Sequence, residues 1–334
     1  MISVSIIIPT YNVENFVTRT LMSVIKQKNA PEFEIIVIDD CSTDSTLEKV
    51  SQFQREHPQC SIRIKRQDKN EGPAKARNSG MNEARGEFLA YLDGDDYWEE
   101  NFLCKTVAFL REHPEAIAVF TGQRHITQSN NNSVRPRCLF ENNGLTGKEP
   151  FVIDDFFEFW RKEKYLVCTG SIVIRTPLLL ELHGQREDLR ICEDLELWCL
   201  IGLNGKIGFI PEILFTSDGM HNAQGKCYLL KKYIKRYEKI PSVDDWQKRH
   251  FKLIEQEKIP QSYYYVRDQI AQNLTNAMII GGQYTTARRT IITYGNNFPD
   301  ARFRKLRQLS KWQFIWVIIA TLIRVRFFLR VITL

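Results

Sequence analysis

The sequence lacks the motifs that mark several common classes of nucleotide-binding and redox protein. No dinucleotide-binding pattern G-x-G-x-x-G follows the first apolar segment, and the P-loop pattern G-x-x-x-x-G-K-[ST] occurs nowhere in the 334 residues. The eight cysteines are scattered, without a C-x-x-C pair or a zinc-like spacing. These absences disfavour dinucleotide oxidoreductases and P-loop hydrolases, and they indicate free thiols in a reducing compartment.

Neither a leader nor a membrane-crossing apolar run is expected from the sequence. The first predicted strand begins within a few residues of Met1, so no signal peptide is expected and the protein is predicted to start in the cytosol. The apolar run at 312–323 is shorter than the roughly twenty residues that cross a bilayer. Arg324, Arg326 and Arg330 interrupt its continuation.

Acidic residues are scarce in the C-terminal third. Residues 221–334 contain 21 Lys and Arg against 7 Asp and Glu, a net charge of +14, although the whole chain carries only +6. Helical spacing of apolar residues recurs at 228–237, 263–280 and 284–294. We therefore expect two domains, an α/β domain at 1–220 and a helical, basic region at 221–334.

The tail at 302–334 has eight cations and no acid, interleaved with aromatic residues that include Trp312 and Trp316. No nucleic-acid-binding motif accompanies them, so a nucleic-acid partner is not expected. A monotopic anchor on an anionic membrane surface fits this composition. The alternative, a terminal helix that packs on a partner or on its own core, stays open.

Strands and helices are predicted to alternate in the first hundred residues. Apolar runs at 4–8, 33–38, 62–66 and 88–92 indicate strands, and helical spacing at 13–26, 45–56, 73–84 and 101–112 indicates helices. This alternation predicts an open, twisted, mainly parallel sheet flanked by helices. The polar residues that follow each strand are expected at one edge of the sheet.

The segment Asp93-Gly94-Asp95-Asp96 places three carboxylates directly after the fourth predicted strand. Like charges this close repel one another, so a cation is expected to sit among them. Mg²⁺ or Mn²⁺ with a phosphate-bearing substrate fits oxygen ligands of this kind. Arg77 and Lys75 are candidates for neutralising phosphate charge. An acidic turn that caps the following helix is the alternative reading of the cluster.

Four ordered motifs resemble those of the family 2 inverting glycosyltransferases of GT-A fold, over roughly residues 3–215. They are Ile8-Pro9-Thr10-Tyr11-Asn12, Val37-Ile38-Asp39-Asp40-Cys41-Ser42-Thr43-Asp44, Asn70-Glu71-Gly72 with Ala76-Arg77-Asn78, and Asp93-Gly94-Asp95-Asp96. The resemblance implies that Tyr11 stacks on the nucleotide base and that Asp40 accepts a hydrogen bond from it, and uracil suits both. The alternatives are a half-buried turn aromatic for Tyr11 and helix caps for Asp39 and Asp44.

The resemblance also implies the remaining site residues. It places Pro9, Arg77, Asp93 and Asp95 in the donor site with Tyr11 and Asp40. It implies a metal site that includes Asp95 and Asp96, and it adds His221 as a candidate ligand or diphosphate contact.

The segment Ile191-Cys192-Glu193-Asp194-Leu195-Glu196-Leu197-Trp198 resembles the Glu-Asp motif of the family. Asp194 is then the base that takes the proton from the acceptor hydroxyl, and Glu193 positions the acceptor or a loop. The alternative reading is a pair of acids that the helix dipole favours in the first turn.

Two segments depart from the family pattern. Residues 182–186 read Leu-His-Gly-Gln-Arg where many relatives have a Gly-Gly-Phe-Asp type of segment, which makes the acceptor loop atypical. The stretch at 214–221 lacks an arginine that relatives often have before the histidine, which weakens the assignment of His221.

The sequence therefore predicts a glycosyltransferase that moves a hexosyl or N-acetylhexosaminyl group, with Mn²⁺ or Mg²⁺ as cofactor. A UDP-sugar donor, a glycan or lipid-linked glycan acceptor and the inner face of the cell membrane are the expected partners, in surface polysaccharide or lipopolysaccharide assembly. Two alternatives remain, a metal-dependent nucleotidyltransferase or phosphatase and a catalytically inactive GT-A domain that serves as a membrane-bound assembly factor.

Overall fold

The computed structural model describes residues 2–126, 133–136, 149–162, 167–218 and 237–333, with side chains up to residue 330. The chain divides into two compact units. The first comprises residues 1–187 and 204–221, and the second comprises residues 188–203 and 222–334. The predicted domain boundary at residue 220 stays a prediction beside this division.

The first unit is built on one open sheet. Its strands in the described residues are β1 (Val4–Thr10), β2 (Phe33–Asp39), β3 (Ile62–Arg66), β4 (Phe88–Tyr91), β5 (Tyr97–Trp98), β6 (Ala116–Ile126), β7 (Ser133–Arg135), β8 (Phe151–Val152), β9 (Ile172–Arg175) and β10 (Lys206–Asp218). The strand order is β3-β2-β1-β4-β9-β6-β10-β5, with β7 beside β6 and β8 beside β10. The pairs among β1–β4 and the pair β6–β10 are parallel, whereas β9 and β5 run antiparallel to their neighbours. The predicted mainly parallel sheet is confirmed.

Helices cover this sheet. They are α1 (Val17–Ile25), α2 (Thr46–Glu56), α3 (Pro73–Met81), α4 (Phe102–Glu112), α5 (Phe156–Arg161) and α6 (Thr176–Glu181). All seven residues of β1 are buried, as expected for an interior strand that helices cover on both faces. Helix α1 buries Val17, Leu21 and Val24, a helical repeat that packs into the same apolar core.

The predicted elements of the first hundred residues are all present, and their ends differ in places. The helix predicted at 13–26 begins at Val17, and the Val13 N–H ahead of it donates to the Thr46 hydroxyl at 2.8 Å. The helix predicted at 73–84 ends at Met81. Helix α3 starts after Gly72, whose φ of +96° suits glycine, with Pro73 at the first helical position.

The strand register aligns the polar segments that were predicted to share an edge. Thr10 at the end of β1 pairs with Asp39 at the end of β2, and Ile7 of β1 pairs with Tyr91 at the end of β4. The segments that follow β1, β2 and β4 therefore leave the sheet at its carboxyl edge, where open α/β sheets bind ligands.

The second unit is helical in its described residues. It contains α7 (Glu193–Asn204) up to residue 203, α8 (Val243–Leu253), α9 (Gln261–Ile280), α10 (Tyr284–Tyr294), α11 (Ala301–Leu309) and α12 (Gln313–Thr333). The helices predicted at 263–280 and 284–294 are confirmed, and most of the helix predicted at 228–237 lies outside the described residues. Across the described ranges, no helix combines the length and apolar character that membrane crossing requires.

Candidate active site

A tight turn after β4 carries the carboxylates of Asp93, Asp95 and Asp96. The Gly94 N–H donates to the Pro9 carbonyl at 3.2 Å, and the Asp96 N–H donates to the Asp93 carbonyl at 3.0 Å. Pro9 is buried in β1, and its carbonyl supports the turn. The structure thus brings the first and fourth motifs of the sequence into direct contact.

Asp96 lies beneath this turn and is 5% exposed. Its Oδ1 accepts the N–H of Asp218, the last residue of β10, at 2.9 Å. Burial raises the pKa of Asp96 well above its usual value, and repulsion from Asp95 and Asp93 raises it further. These contacts give Asp96 a structural role between the turn and β10, and its predicted metal ligation stays a prediction.

Two side chains of α1 hold the backbone of the acidic turn. The Thr20 hydroxyl donates to the Asp96 carbonyl at 2.7 Å. Arg19 donates from one nitrogen to the Asp95 carbonyl at 2.6 Å and from the other to the Asp218 carboxylate at 2.6 Å. Arg19 therefore joins the turn to the end of β10, a role that no motif in the sequence indicated.

Arg77, predicted to contact the donor diphosphate, is 5% exposed and engaged with protein groups. One of its terminal nitrogens donates to both oxygens of Asp93, at 2.6 and 2.9 Å, and the other donates to Gln185 Oε1 at 3.2 Å. The guanidinium thus neutralises Asp93 and fixes its orientation. A direct contact between Arg77 and a diphosphate stays a prediction.

Helix α3 also holds the segment whose sequence departs from the family pattern. Asn78 accepts the N–H of Gln185 at 2.9 Å and donates to the Gln185 carbonyl at 2.8 Å. Lys75, the second candidate phosphate contact, pairs with Glu187 at 3.0 Å, and this interaction raises the pKa of Lys75. The atypical segment is therefore held by α3 through two backbone contacts of Gln185 and through the contact of the Gln185 side chain with Arg77.

Tyr11 and Asp40 follow β1 and β2 at the same sheet edge. The Tyr11 ring is 44% exposed, which leaves its face accessible to a base. Asp40 is 3% exposed, and its two carboxylate oxygens accept the N–H groups of Glu71 and Gly72 at 2.9 and 2.8 Å. Burial raises the pKa of Asp40, and these two hydrogen bonds oppose that rise. Asp40 therefore shapes the loop before α3, and base recognition by Asp40 stays a prediction.

Of the two neighbouring acids that could instead be helix caps, only Asp44 contacts an N–H of the helix. Asp44 accepts the Thr46 N–H at 3.0 Å in the first turn of α2, which is a capping contact. Asp39 accepts the Ser42 N–H at 3.1 Å and is buried. Neither carboxylate needs a ligand to account for its place.

The oxygen donors of the acidic turn suit a hard divalent cation, with differences among the three residues. Asp93 is held by Arg77, Asp96 is buried, and Asp95 is half-buried. Within the residues that the structure describes, no group of three or more His, Cys, Asp or Glu side chains has the arrangement of a metal site. Metal binding by Asp95 stays a prediction. His221 lies outside the described residues.

The second unit contains the predicted base. Glu193 and Asp194 form the first turn of α7 and are both half-buried, and Asp194 Oδ1 accepts the N–H of Leu195 at 2.8 Å. Cys192, just before the helix, adopts a left-handed φ of +59°. The Trp246 indole donates to the Cys192 carbonyl at 3.0 Å and so holds this uncommon backbone conformation.

A buried polar network anchors α7 to α8. Glu196 is fully buried and accepts Arg249 Nε at 2.8 Å, with a second contact from a terminal nitrogen of Arg249. His250 Nε2 lies 2.9 Å from the Glu196 carbonyl, which only accepts, so this nitrogen carries the proton. The Tyr263 hydroxyl lies 2.7 Å from His250 Nδ1 and donates to it in the neutral ring. The turn that bears Asp194 is thereby tied to the C-terminal helices.

Residues 5–176, more than half of the chain, match the family model Glycosyl transferase family 2. The chain therefore belongs to glycosyl transferase family 2, and it is a glycosyltransferase of GT-A fold.

Two bacterial glycosyltransferases are similar to this chain in sequence. TuaG of Bacillus subtilis, a glycosyltransferase assigned to teichuronic acid biosynthesis, is 36% identical over 233 residues, which cover 69% of this chain and 81% of TuaG. TarS of Staphylococcus aureus, a poly(ribitol-phosphate) beta-N-acetylglucosaminyltransferase, is 39% identical over 115 residues. That aligned part covers 34% of this chain and spans only 20% of TarS.

Solved structures show the same fold. TarS residues 1–349 in complex with UDP-GlcNAc match 98% of this chain and 91% of that chain, with a TM-score of 0.65 at 21% identity. The mannosyltransferase PcManGT from Pyrobaculum calidifontis, in complex with GDP-Man and Mn²⁺, matches 96% of this chain and 86% of that chain, with a TM-score of 0.58 at 17% identity. At these identities the likeness establishes the fold, and the ligands belong to those proteins.

Proposed function

We propose that this protein transfers one hexosyl or N-acetylhexosaminyl group from a UDP-sugar to a hydroxyl of a glycan acceptor, with inversion at the anomeric carbon. The observation that carries the proposal is the sheet edge where Tyr11, the Asp40 loop and the acidic turn of Asp93–Asp96 follow three adjacent parallel strands. An aromatic face for a base and carboxylates for a metal-bound diphosphate are the two halves of a nucleotide-sugar site.

The donor half of the proposal assigns roles according to surroundings. Tyr11 stacks on uracil, because its ring is exposed at the end of β1. Asp95 binds Mn²⁺ or Mg²⁺, and the cation supplies charge neutralisation for the leaving diphosphate. Arg77 keeps Asp93 oriented, and Asp96 keeps the turn attached to β10. The UDP-GlcNAc complex of TarS and the Mn²⁺ complex of PcManGT support this choice of donor and metal.

The acceptor half rests on Glu193 and Asp194. Inversion in one displacement needs a single base, which takes the acceptor proton as the hydroxyl attacks the anomeric carbon. Asp194 is the proposed base, and Glu193 positions the acceptor. The left-handed Cys192 and its contact with Trp246 hold this turn in one conformation before substrate arrives.

The acceptor is proposed to be a glycan of a bacterial surface polymer, free or lipid-linked. The relatives TuaG and TarS are described as acting on teichuronic acid and poly(ribitol-phosphate), which supports this class. The proposed location is the cytoplasmic face of the cell membrane, where the protein is peripheral.

Thermal unfolding in the presence of nucleotides tests the donor proposal. A ligand that binds only the native state at a hundred times its Kd raises the unfolding free energy by about 2.7 kcal/mol. UDP with Mn²⁺ is expected to raise the Tm, whereas GDP and CDP with Mn²⁺ leave it nearly unchanged. Tyr11→Ala removes the UDP shift and Tyr11→Phe keeps it, because phenylalanine also stacks.

Tyr265→Ala is the matched control, since Tyr265 is similarly exposed, at 49%, on another part of the chain. A shift with GDP as large as that with UDP contradicts the choice of uracil. Sugar transfer by the purified protein then separates the proposed activity from an inactive GT-A domain, and its absence with every UDP-sugar and acceptor tried refutes the enzymatic proposal.

A further inference from the structure

Helix α12 of the second unit has one face packed against protein. Trp316 is 1% exposed and Ala320 is fully buried. The Trp316 indole donates to the Tyr284 carbonyl at 2.8 Å, and the Phe327 ring meets the Tyr237 ring edge-on at 6.3 Å. These contacts fix the rotation of α12 about its own axis.

The opposite face of α12 presents large apolar side chains to solvent. Phe314, Ile318, Leu322 and Val325 are 78, 46, 62 and 49% exposed. At 3.6 residues per turn, about 200° of rotation separates Phe314 from Trp316, so the exposed stripe lies across the helix from its packed face. Scattered exposed apolar residues are ordinary, whereas a stripe along three turns marks an interaction surface.

The chain around this stripe is positively charged in sequence. From residue 301 onward the chain has eight Lys and Arg and no Asp or Glu. Lys305, Lys311 and Arg326 are exposed on α11, on the link between α11 and α12, and on α12. An apolar stripe inside a cationic field fits a surface that is apolar within and anionic at its boundary, which describes a bilayer of anionic phospholipid.

The same charge argues against a second copy of this chain as the occupant. Two such surfaces brought face to face would oppose like charges without an acid in the segment to compensate. One-sided packing further argues that α12 lies along the membrane surface, since its packed face remains on the protein.

We propose that the outward face of α12, with the cations of α11, binds anionic phospholipid membranes with the helix axis in the plane of the interface. Phe314, Ile318, Leu322 and Val325 enter the boundary between headgroups and acyl chains, and Lys305, Lys311 and Arg326 contact lipid phosphates. This inference names a membrane partner for the proposed glycosyltransferase. It rests on the proposed function only in one respect, which is that a transferase with a lipid-linked acceptor has a reason to bind a membrane.

Co-sedimentation of the full-length protein with vesicles tests the proposal. Deletion of the tail is unsuitable, because it would remove Trp316 and Ala320 from the packed core. The probe is a vesicle of phosphatidylglycerol and phosphatidylcholine, compared with phosphatidylcholine alone. We expect binding to the mixed vesicles that is weakened, not abolished, by high salt, because salt screens the charges and leaves the apolar insertion.

Two sets of variants separate the apolar and cationic contributions. Phe314→Gln with Leu322→Gln is expected to lower the partition coefficient by more than about tenfold at every salt concentration. Lys305→Gln, Lys311→Gln and Arg326→Gln together are expected to lower it at low salt only. The matched control for the apolar pair is Leu180→Gln with Leu253→Gln, which replaces leucines that are 41 and 46% exposed elsewhere. Circular dichroism and the Tm confirm that each variant is folded.

The outcomes for the membrane and for catalysis are distinguishable. All variants are expected to keep wild-type turnover with a water-soluble acceptor analogue. Binding of the Phe314→Gln/Leu322→Gln protein equal to that of the wild type overturns the membrane proposal and leaves the enzymatic one intact. Vesicle binding without any transfer activity supports the membrane proposal and contradicts the enzymatic one. A wild-type dimer in sedimentation that this variant dissociates, with no vesicle binding, also overturns the proposal in favour of a second copy.

Discussion

The three acids of the turn after β4 have the same charge and different surroundings. Asp93 is paired with Arg77, Asp96 accepts a backbone N–H in the interior, and Asp95 is half-buried with its carbonyl held by Arg19. Two of the three carboxylates therefore support the turn itself, and metal binding by Asp95 stays a prediction.

Asp95→Ala is expected to lower sugar transfer by at least about a hundredfold, because the diphosphate loses its metal-mediated neutralisation. The measurement is initial rate against Mn²⁺ concentration, and EDTA should reproduce the loss in the wild type. Glu99→Ala, which removes an exposed acid four residues away, serves as the control and should leave the rate unchanged. Full activity of the wild type in EDTA is incompatible with the metal role.

Asp194→Asn keeps the size of the side chain and removes its ability to accept a proton. We expect kcat to fall by ~10² to 10⁴ while the Tm shift with UDP and Mn²⁺ stays as in the wild type. Asp188→Asn is the control, since this acid precedes the same helix. Equal losses of UDP binding and turnover would instead assign Asp194 to donor binding.

The sequence predicted the shared sheet edge of the candidate site residues better than the contacts that support them. Tyr11, Asp40 and Asp93–Asp96 follow strands whose apolar runs are plain, so their common edge is predictable from strand order. Arg19 contacts Asp218, 199 positions along the chain, and Arg249 contacts Glu196, 53 positions away. Residue pairs this far apart in sequence meet only in the folded structure, so no local sequence pattern predicts them.

At the scale of elements, α7 and α8 are joined by the ion pair of buried Glu196 with Arg249. Arg249→Met leaves the Glu196 carboxylate buried without its guanidinium partner. Removal of one partner from such a pair costs about 3–5 kcal/mol of unfolding free energy. We expect a clear drop in Tm and a lower kcat, because the turn that carries Asp194 loses its anchor.

The double variant Arg249→Met/Glu196→Met tests the cause. Apolar replacement of both partners is expected to recover most of the lost stability, since no uncompensated charge remains buried. Chemical denaturation of the two single variants and the double variant gives the coupling between them. Additive losses in that cycle would show that the pair does not act as a unit.

The periodicity of apolar residues predicted where the strands and helices lie, but it did not predict the residues at which they begin and end. The alternation of apolar strands with amphipathic helices predicted β1–β4 and α1–α4 in order. Helix α1 begins four residues later than predicted, and Val13 ahead of it donates a hydrogen bond to Thr46, which lies 33 positions away. Helix α12 packs one face on the protein, as the second reading of the tail expects, and leaves the other face exposed, while the membrane reading stays a prediction.

At the scale of the whole molecule, charge and compactness divide the chain differently. The basic excess begins near residue 221, whereas the second compact unit also includes residues 188–203. Composition could not reveal this, because α7 is acidic in its first turn and otherwise apolar. Its membership of the second unit is visible only through contacts such as Glu196 with Arg249 and Cys192 with Trp246.

Because the second unit consists of two separate segments of the chain, it matters which segments are exchanged when this enzyme is recombined with its relatives. In a hybrid that takes only residues 222–334 from another family member, Glu196 and Cys192 come from this chain and the residues that contact them come from the other parent. A hybrid that imports 188–203 together with 222–334 keeps both contacts within one parent. We expect the paired exchange to give folded protein and the single exchange to give aggregates, as size-exclusion chromatography will show. If both hybrids fold equally well, the two segments do not need to come from the same parent, and residues 222–334 can be exchanged by a single crossover.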